Sequence, residues 1–143
     1  MTDRKHRLEG FAERELDWGG TRLRYAVGGD GPPLILVHGL GGTIENWRAL
    51  APRLAARYRV LVPDLPGHGH SSPLPEASNV DPLAEAVLGV ADAEGIHGGV
   101  WIGHSLGGVV ALRAAALRPD AVRGLVLAEI GRASCRERVC SVV

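Results

Sequence analysis

Gly103-His104-Ser105-Leu106-Gly107-Gly108 sets a serine between two glycines, each two residues away. A serine hydroxyl can attack a carbonyl if it is held clear of its own backbone and offered to a substrate. Gly-x-Ser-x-Gly achieves this where a strand turns sharply into a helix. The glycines remove Cβ atoms that would clash, and the serine stands at a helix N-terminus, whose dipole favours developing negative charge. The flanking residues fit. Val100-Trp101-Ile102 is a short apolar run that reads as a buried strand. Ser105 to Leu117 is rich in Ala, Leu and Val and stops at Arg118-Pro119, as a helix does before proline. That context favours a nucleophile over an ordinary glycine-rich turn.

Acyl transfer also needs N–H donors aimed at the oxygen that becomes negative. The amide of Leu106, directly after the serine, is one candidate. His38-Gly39-Leu40-Gly41-Gly42 ends the apolar run Leu34 to Val37 and offers the second, Leu40, with Gly41 as the alternative. Gly39-Leu40-Gly41 could instead open a dinucleotide fingerprint, with Asp64 as the ribose-binding acid at the end of the next strand. Position 44 should then be glycine, and it is Ile44. The oxidoreductase reading is set aside on that residue.

A third segment, Asp64-Leu65-Pro66-Gly67-His68-Gly69-His70-Ser71, completes a series. His-Gly-x-Gly-Gly, Asp-Leu-Pro-Gly-His-Gly-x-Ser and Gly-His-Ser-Leu-Gly-Gly follow successive strands in that order. Over roughly residues 10 to 128 the chain resembles the α/β-hydrolase fold superfamily, in its single-domain serine esterase, lipase and C–C hydrolase branch. The resemblance implies Ser105 as nucleophile, the Leu40 and Leu106 amides as oxyanion hole, and structural parts for His38, His68 and Asp64. It implies a small-molecule ester, thioester, amide or C–C bond as substrate, and no cofactor. Epoxide hydrolases and haloalkane dehalogenases of the superfamily carry Asp where Ser105 stands, which disfavours them. A non-catalytic ligand-binding protein of the same fold is the remaining rival. His68-x-His70 with His38 lacks a Cys or acidic partner at matching spacing, so no metal site is expected. His104 adjoins the serine, but neighbouring side chains on such a turn point apart.

The elements that must position these residues read as follows. Residues 13–18 and 22–27 flank Gly19-Gly20 as an antiparallel β-hairpin. A loop over 28–33 leads to a strand at 34–37, buried on both faces. Residues 43–56 form two short helices broken near Pro52, and 58–62 form a strand. After a loop at 65–75, Asp81 caps a helix with Pro82 at its first position and Leu83, Val87 and Val90 on its apolar face. The strand at 100–102, the helix at 105–117 and a fourth buried strand at 122–128 follow. Strands and helices in alternation give an α/β fold: the N-terminal part of a hydrolase domain, its sheet mostly parallel with helices on both faces.

A chain of 143 residues allows one domain. Sixteen basic and sixteen acidic residues cancel, which argues against nucleic acid or an anionic membrane surface as partner. The apolar runs fall far short of the roughly 18 residues of a membrane span. Met1 to Gly10 is charged and shows no secretory signal, so a cytoplasmic location is expected. Both cysteines, Cys135 and Cys140, lie near the end, so no disulfide framework is expected in the body.

No histidine follows Ser105, although a catalytic serine needs a base and an orienting acid. The later acids are Asp120, Glu129 and Glu137, and Glu129 stands where some superfamily members place the triad acid. From Glu129 to Cys140 the sequence resembles the in-frame translation of a common sequencing adapter, and the apolar periodicity stops. The expectation is a truncated domain at 10–128, a non-native tail at 129–143, and a fragment that is itself inactive. Substrate and oligomeric state stay open.

Overall fold

Leu34 to Val37, bracketed by Gly31-Pro32 and His38-Gly39, becomes the central strand of the sheet. The computed structural model describes residues 8–76 and 79–128, with the backbone of 140–142. These form β1 (Ala12–Trp18), β2 (Thr21–Gly28), β3 (Pro33–Val37), α1 (Ala51–Leu54), β4 (Arg59–Pro63) and α2 (Asp81–Ala93). β5 (Gly99–His104), α3 (Leu106–Leu117), β6 (Val122–Ala128) and β7 (Cys140–Val142) follow. Short 3-10 turns lie at Ile44–Trp47 and Pro119–Ala121. The sheet order is β1-β2-β4-β3-β5-β6-β7. The four strands β4, β3, β5 and β6 run parallel, and the hairpin joins them through an antiparallel β2–β4 ladder. This is the expected α/β architecture.

The hairpin closes over Gly19 and Gly20, at φ +58° and +89°, with Trp18 opposite Thr21. Left-handed backbone at both central residues gives a turn whose twist matches that of the strands. Continuous apolar runs in β3 and β4 reflect burial on both faces. Ile35, Val37, Leu61 and Trp101 face the side carrying α2 and α3. Leu36, Val60 and Val62 face the other side, with Ile44, Trp47 and Ala51. The break near Pro52 is present: Pro52 sits in the first turn of α1, where its missing N–H leaves no bond unmade.

Glu94, capping the C-terminus of α2, ties the hairpin down. Its carboxylate accepts from the Tyr25 hydroxyl (2.6 Å), from Arg14 (2.7 and 2.8 Å) and from Arg59 (3.0 Å). Burial works to raise its pKa, but these donors together hold it below the usual range. Burial, then the bond to Glu94, pushes the Tyr25 hydroxyl up to about 12.

Three details differ from the sequence reading. Asp81 is the first helical residue of α2 and not its cap, which is Val80. Its N–H donates to Asn79 Oδ1 (2.9 Å), and its carboxylate takes Arg113 (2.7 and 3.0 Å). β6 is largely half-buried, where a fully buried strand was expected, because beyond it lies only the three-residue β7. β7 comes from the segment read as a tail and pairs antiparallel with Leu125 to Leu127. Among the described residues no helix is long and apolar enough to cross a membrane.

Candidate active site

β3 sends the chain through α1 to β4 on one side, whereas β5 sends it through α3 to β6 on the other. Loops leaving the C-terminal ends of β3 and β5 therefore diverge, and a crevice opens where the strand order reverses. Both glycine motifs lie there. Gly39, Leu40, Gly41, Asn46, His104 and Ser105 line a small cavity of about 160 Å³.

Ser105 links β5 to α3 at φ +55° and ψ −118°, and it is the one described non-glycine residue at positive φ. Such a backbone costs roughly 1–3 kcal/mol and persists only where its surroundings enforce it. Here the Ser105 N–H donates to the Ala128 carbonyl (2.8 Å), and the Ser105 carbonyl accepts from Gly108 (2.9 Å). A Cβ on Gly107 would land on the Val37 carbonyl, and one on Gly103 on the Gly107 carbonyl. Both expected glycine roles are thus present. Backbone cannot yield as a flexible side chain can, so Gly107→Ala is expected to cost about 3 kcal/mol of stability. A urea midpoint unchanged by the substitution would show that α3 can shift freely against β3.

The oxyanion candidates can be sorted by what their N–H groups already do. Gly42 donates to the Gly39 carbonyl (3.0 Å) and is spent. Among the described residues the amides of Leu40 and Gly41 make no hydrogen bond. Leu106 opens α3, so no carbonyl one turn earlier within the helix takes its N–H. The Leu40 side chain is 80% exposed at the cavity rim.

The third motif supports the crevice from below. Asp64, fully buried, accepts from the Ile44 N–H (2.8 Å), the His70 N–H (2.9 Å) and Arg24 (3.0 Å). The Ser71 hydroxyl donates to the Asp64 carbonyl (2.8 Å) and accepts from the Arg24 N–H (2.9 Å). A Cβ on Gly69 would strike the Asp64 carboxylate. Its carboxylate oxygens thus serve these loops, and neither stands open to a ribose. Arg24 was legible only as one residue of an alternating strand, and its burial follows from the Asp64 pairing.

His38 accepts from the Leu65 N–H at Nε2 (3.0 Å), so its proton sits on Nδ1 and is donated to the Gly39 carbonyl (2.7 Å). Both ring nitrogens are committed. His68 stands 5.1 Å away, centroid to centroid, with its Nδ1 3.1 Å from the Pro66 carbonyl. Burial lowers the His38 pKa; the Gly39 bond opposes this, and the neighbouring His68 adds to it. The folded chain then binds fewer protons than the unfolded chain just below the ordinary value of 6.5. Stability should be level above about pH 6.5 and fall as the pH drops from there towards the lowered folded value. His38→Gln, which does not titrate, should flatten that part of a urea-midpoint profile; an unchanged profile would assign the loss elsewhere.

Of the other expected residues, Asp120 is exposed at the end of β6 remote from Ser105. Glu129 and Glu137 lie outside the described residues, as does His6. Asn46 enters the cavity lining without having been expected. The signal was present in Thr43-x-x-Asn46, a reciprocal capping pair at the start of the 3-10 turn.

A strained serine at a strand-to-helix turn, set in a switch-point crevice over unpaired amides, defines the class of fold. The family model described as alpha/beta hydrolase fold matches residues 32–137, and the chain belongs to that family. It is 43% identical over 121 residues to a dihydrolipoyllysine-residue acetyltransferase component of an acetoin cleaving system from Pseudomonas putida, covering 83% of this chain and 33% of that protein. It is 38% identical over 118 residues to a 2-hydroxymuconate semialdehyde hydrolase from Pseudomonas sp. (strain CF600), covering 80% and 42%. Among solved structures it resembles a candidate epoxide hydrolase from Pseudomonas aeruginosa, 39% identical, with a TM-score of 0.78 over 84% of this chain and 41% of that one. The chain thus spans between a third and about two-fifths of the length of these proteins.

Proposed function

We propose that this chain is the N-terminal part of a serine hydrolase acting on an ester, thioester, amide or C–C bond of a small molecule. The observation that carries the reading is Ser105 at φ +55° in the crevice, beside the unspent amides of Leu40 and Leu106. Ser105 Oγ attacks the carbonyl carbon and gives up its proton to a base. The Leu40 and Leu106 N–H groups hold the oxygen that becomes negative. The intermediate collapses by breaking the scissile bond, the leaving group takes the proton back from the base, and the acyl-enzyme remains for water to cleave. No histidine follows Ser105 in the sequence. The base and its acid belong, on this reading, to the C-terminal portion that the longer relatives have. Residues 10–128 are the hydrolase portion, and 129–143 a tail foreign to it; the change of composition at 129 supports that boundary, although the family match runs past it to residue 137.

The serine separates this reading from the epoxide hydrolases, whose resemblance calls for Asp at that position. The test uses a completed chain, residues 1–128 followed by the C-terminal portion of the 2-hydroxymuconate semialdehyde hydrolase relative. Turnover of p-nitrophenyl acyl esters that depends on the Ser105 hydroxyl supports the reading. A folded completed chain that binds such esters without cleaving them supports a non-catalytic binding protein of the same fold.

A further inference from the structure

The Gly39 carbonyl accepts twice. His38 donates to it from Nδ1 (2.7 Å) and Gly42 from its backbone N–H (3.0 Å). The His38 ring is held in place, because it is fully buried and its Nε2 takes the Leu65 N–H from the neighbouring loop (3.0 Å). The clamp leaves little room at position 42. A Cβ on Gly42 would lie 3.1 Å from the Gly39 carbonyl and 3.2 Å from His38 Nδ1. That carbonyl shares a rigid peptide plane with the Leu40 N–H, and in a trans peptide the two point in opposite directions. Holding the carbonyl against the buried ring therefore turns the N–H away from it. The same peptide runs beside the elbow, since a Cβ on Gly39 would lie 3.1 Å from Ser105 Cβ and 3.1 Å from the His104 carbonyl. Gly39, Leu40 and Ser105 share one cavity lining, and among the described residues nothing takes the Leu40 N–H.

We propose that His38 is a positioning residue of the oxyanion hole: it sets the direction of the Leu40 N–H by clamping the carbonyl on the opposite edge of the same peptide plane. The proposal rests on the reading of Ser105 as nucleophile and Leu40 as donor, and deepens it. His38 touches no reacting atom and acts through the backbone alone. A peptide held only by Gly42 can rock about its chain direction, and an oxyanion donor is effective only when its aim is set beforehand. The two ring nitrogens thus do separable work. Nε2 ties the β3 loop to the loop after β4, whereas Nδ1 aims the donor.

The two nitrogens can be replaced one at a time. His38→Asn places an amide nitrogen where Nδ1 stands and leaves the Leu65 N–H unmet. His38→Gln places an amide oxygen where Nε2 stands and leaves no donor at Nδ1. Both are measured on p-nitrophenyl butyrate in the completed chain. His38→Gln is expected to lower kcat by about ten- to a hundredfold with KM nearly unchanged, because the oxyanion exists only in the transition state. His38→Asn is expected to keep kcat within about threefold, although its melting temperature falls. A ring that only ties the two loops together gives the reverse order. That reversal overturns the proposal, as do equal losses of kcat or a His38→Gln defect carried by KM. Should either variant not fold, Gly42→Ala decides, since it presses on the same carbonyl and leaves His38 in place. A lowered kcat at constant KM supports the clamp, and an unchanged kcat overturns it. Turnover that survives Ser105→Ala overturns the functional reading itself. Strict dependence on Ser105 without the expected order overturns only the role of His38.

Discussion

Ser105→Ala in the completed chain is expected to lower kcat by about a million-fold, leaving what oxyanion donors and binding alone contribute. The fold should not register the change. Among the described residues the Ser105 hydroxyl makes no hydrogen bond, and the contacts that enforce its backbone run through its N–H and carbonyl. Alanine keeps the same Cβ and meets the same walls. A lost activity with an unshifted melting temperature is therefore the expected pair of results. Loss of both together would make Ser105 a structural residue.

Leu40 should separate its backbone from its side chain. Leu40→Ala removes a side chain that is 80% exposed and leaves the N–H in place. Leu40→Pro deletes the N–H. Removing one preorganised donor to an oxyanion costs about a hundred- to a thousandfold in kcat. The proline variant is expected to lose that much and the alanine variant only a small part of it, both measured on p-nitrophenyl butyrate in the completed chain. Small and equal losses would transfer the role to Gly41, whose N–H is also unspent.

The parts of this fold that the sequence revealed are those governed by local rules. Gly103, Ser105 and Gly107 carry their own steric argument, and the crowding against the carbonyls of Val37 and Gly107 is that argument realised. Gly19-Gly20 and Pro52 likewise announce a turn and a break between two short helices through backbone constraints that need no distant partner. Ile44, which rules out the third glycine of a dinucleotide fingerprint, instead lies buried and donates its N–H to Asp64.

What stayed hidden depends on residues far apart in the chain. Arg24 is buried because Asp64, forty positions later, takes its guanidinium. Glu94 draws in Tyr25 and Arg14 from the hairpin, sixty-nine and eighty positions away. The burial of β6 depends on what lies beside it, which no periodicity within Val122–Ala128 can express. Asn46 reads as a capping residue on its own; only the approach of the β5–α3 turn brings it into one lining with His104 and Ser105.

The central claim is that Ser105 is an activated nucleophile, and covalent labelling tests it most directly. The completed chain is treated with a fluorophosphonate probe, digested, and mapped by mass spectrometry. The account predicts one adduct, on the peptide containing Ser105, and none in Ser105→Ala. An adduct that persists in Ser105→Ala, or a folded wild-type chain that takes up no probe at Ser105, would contradict it.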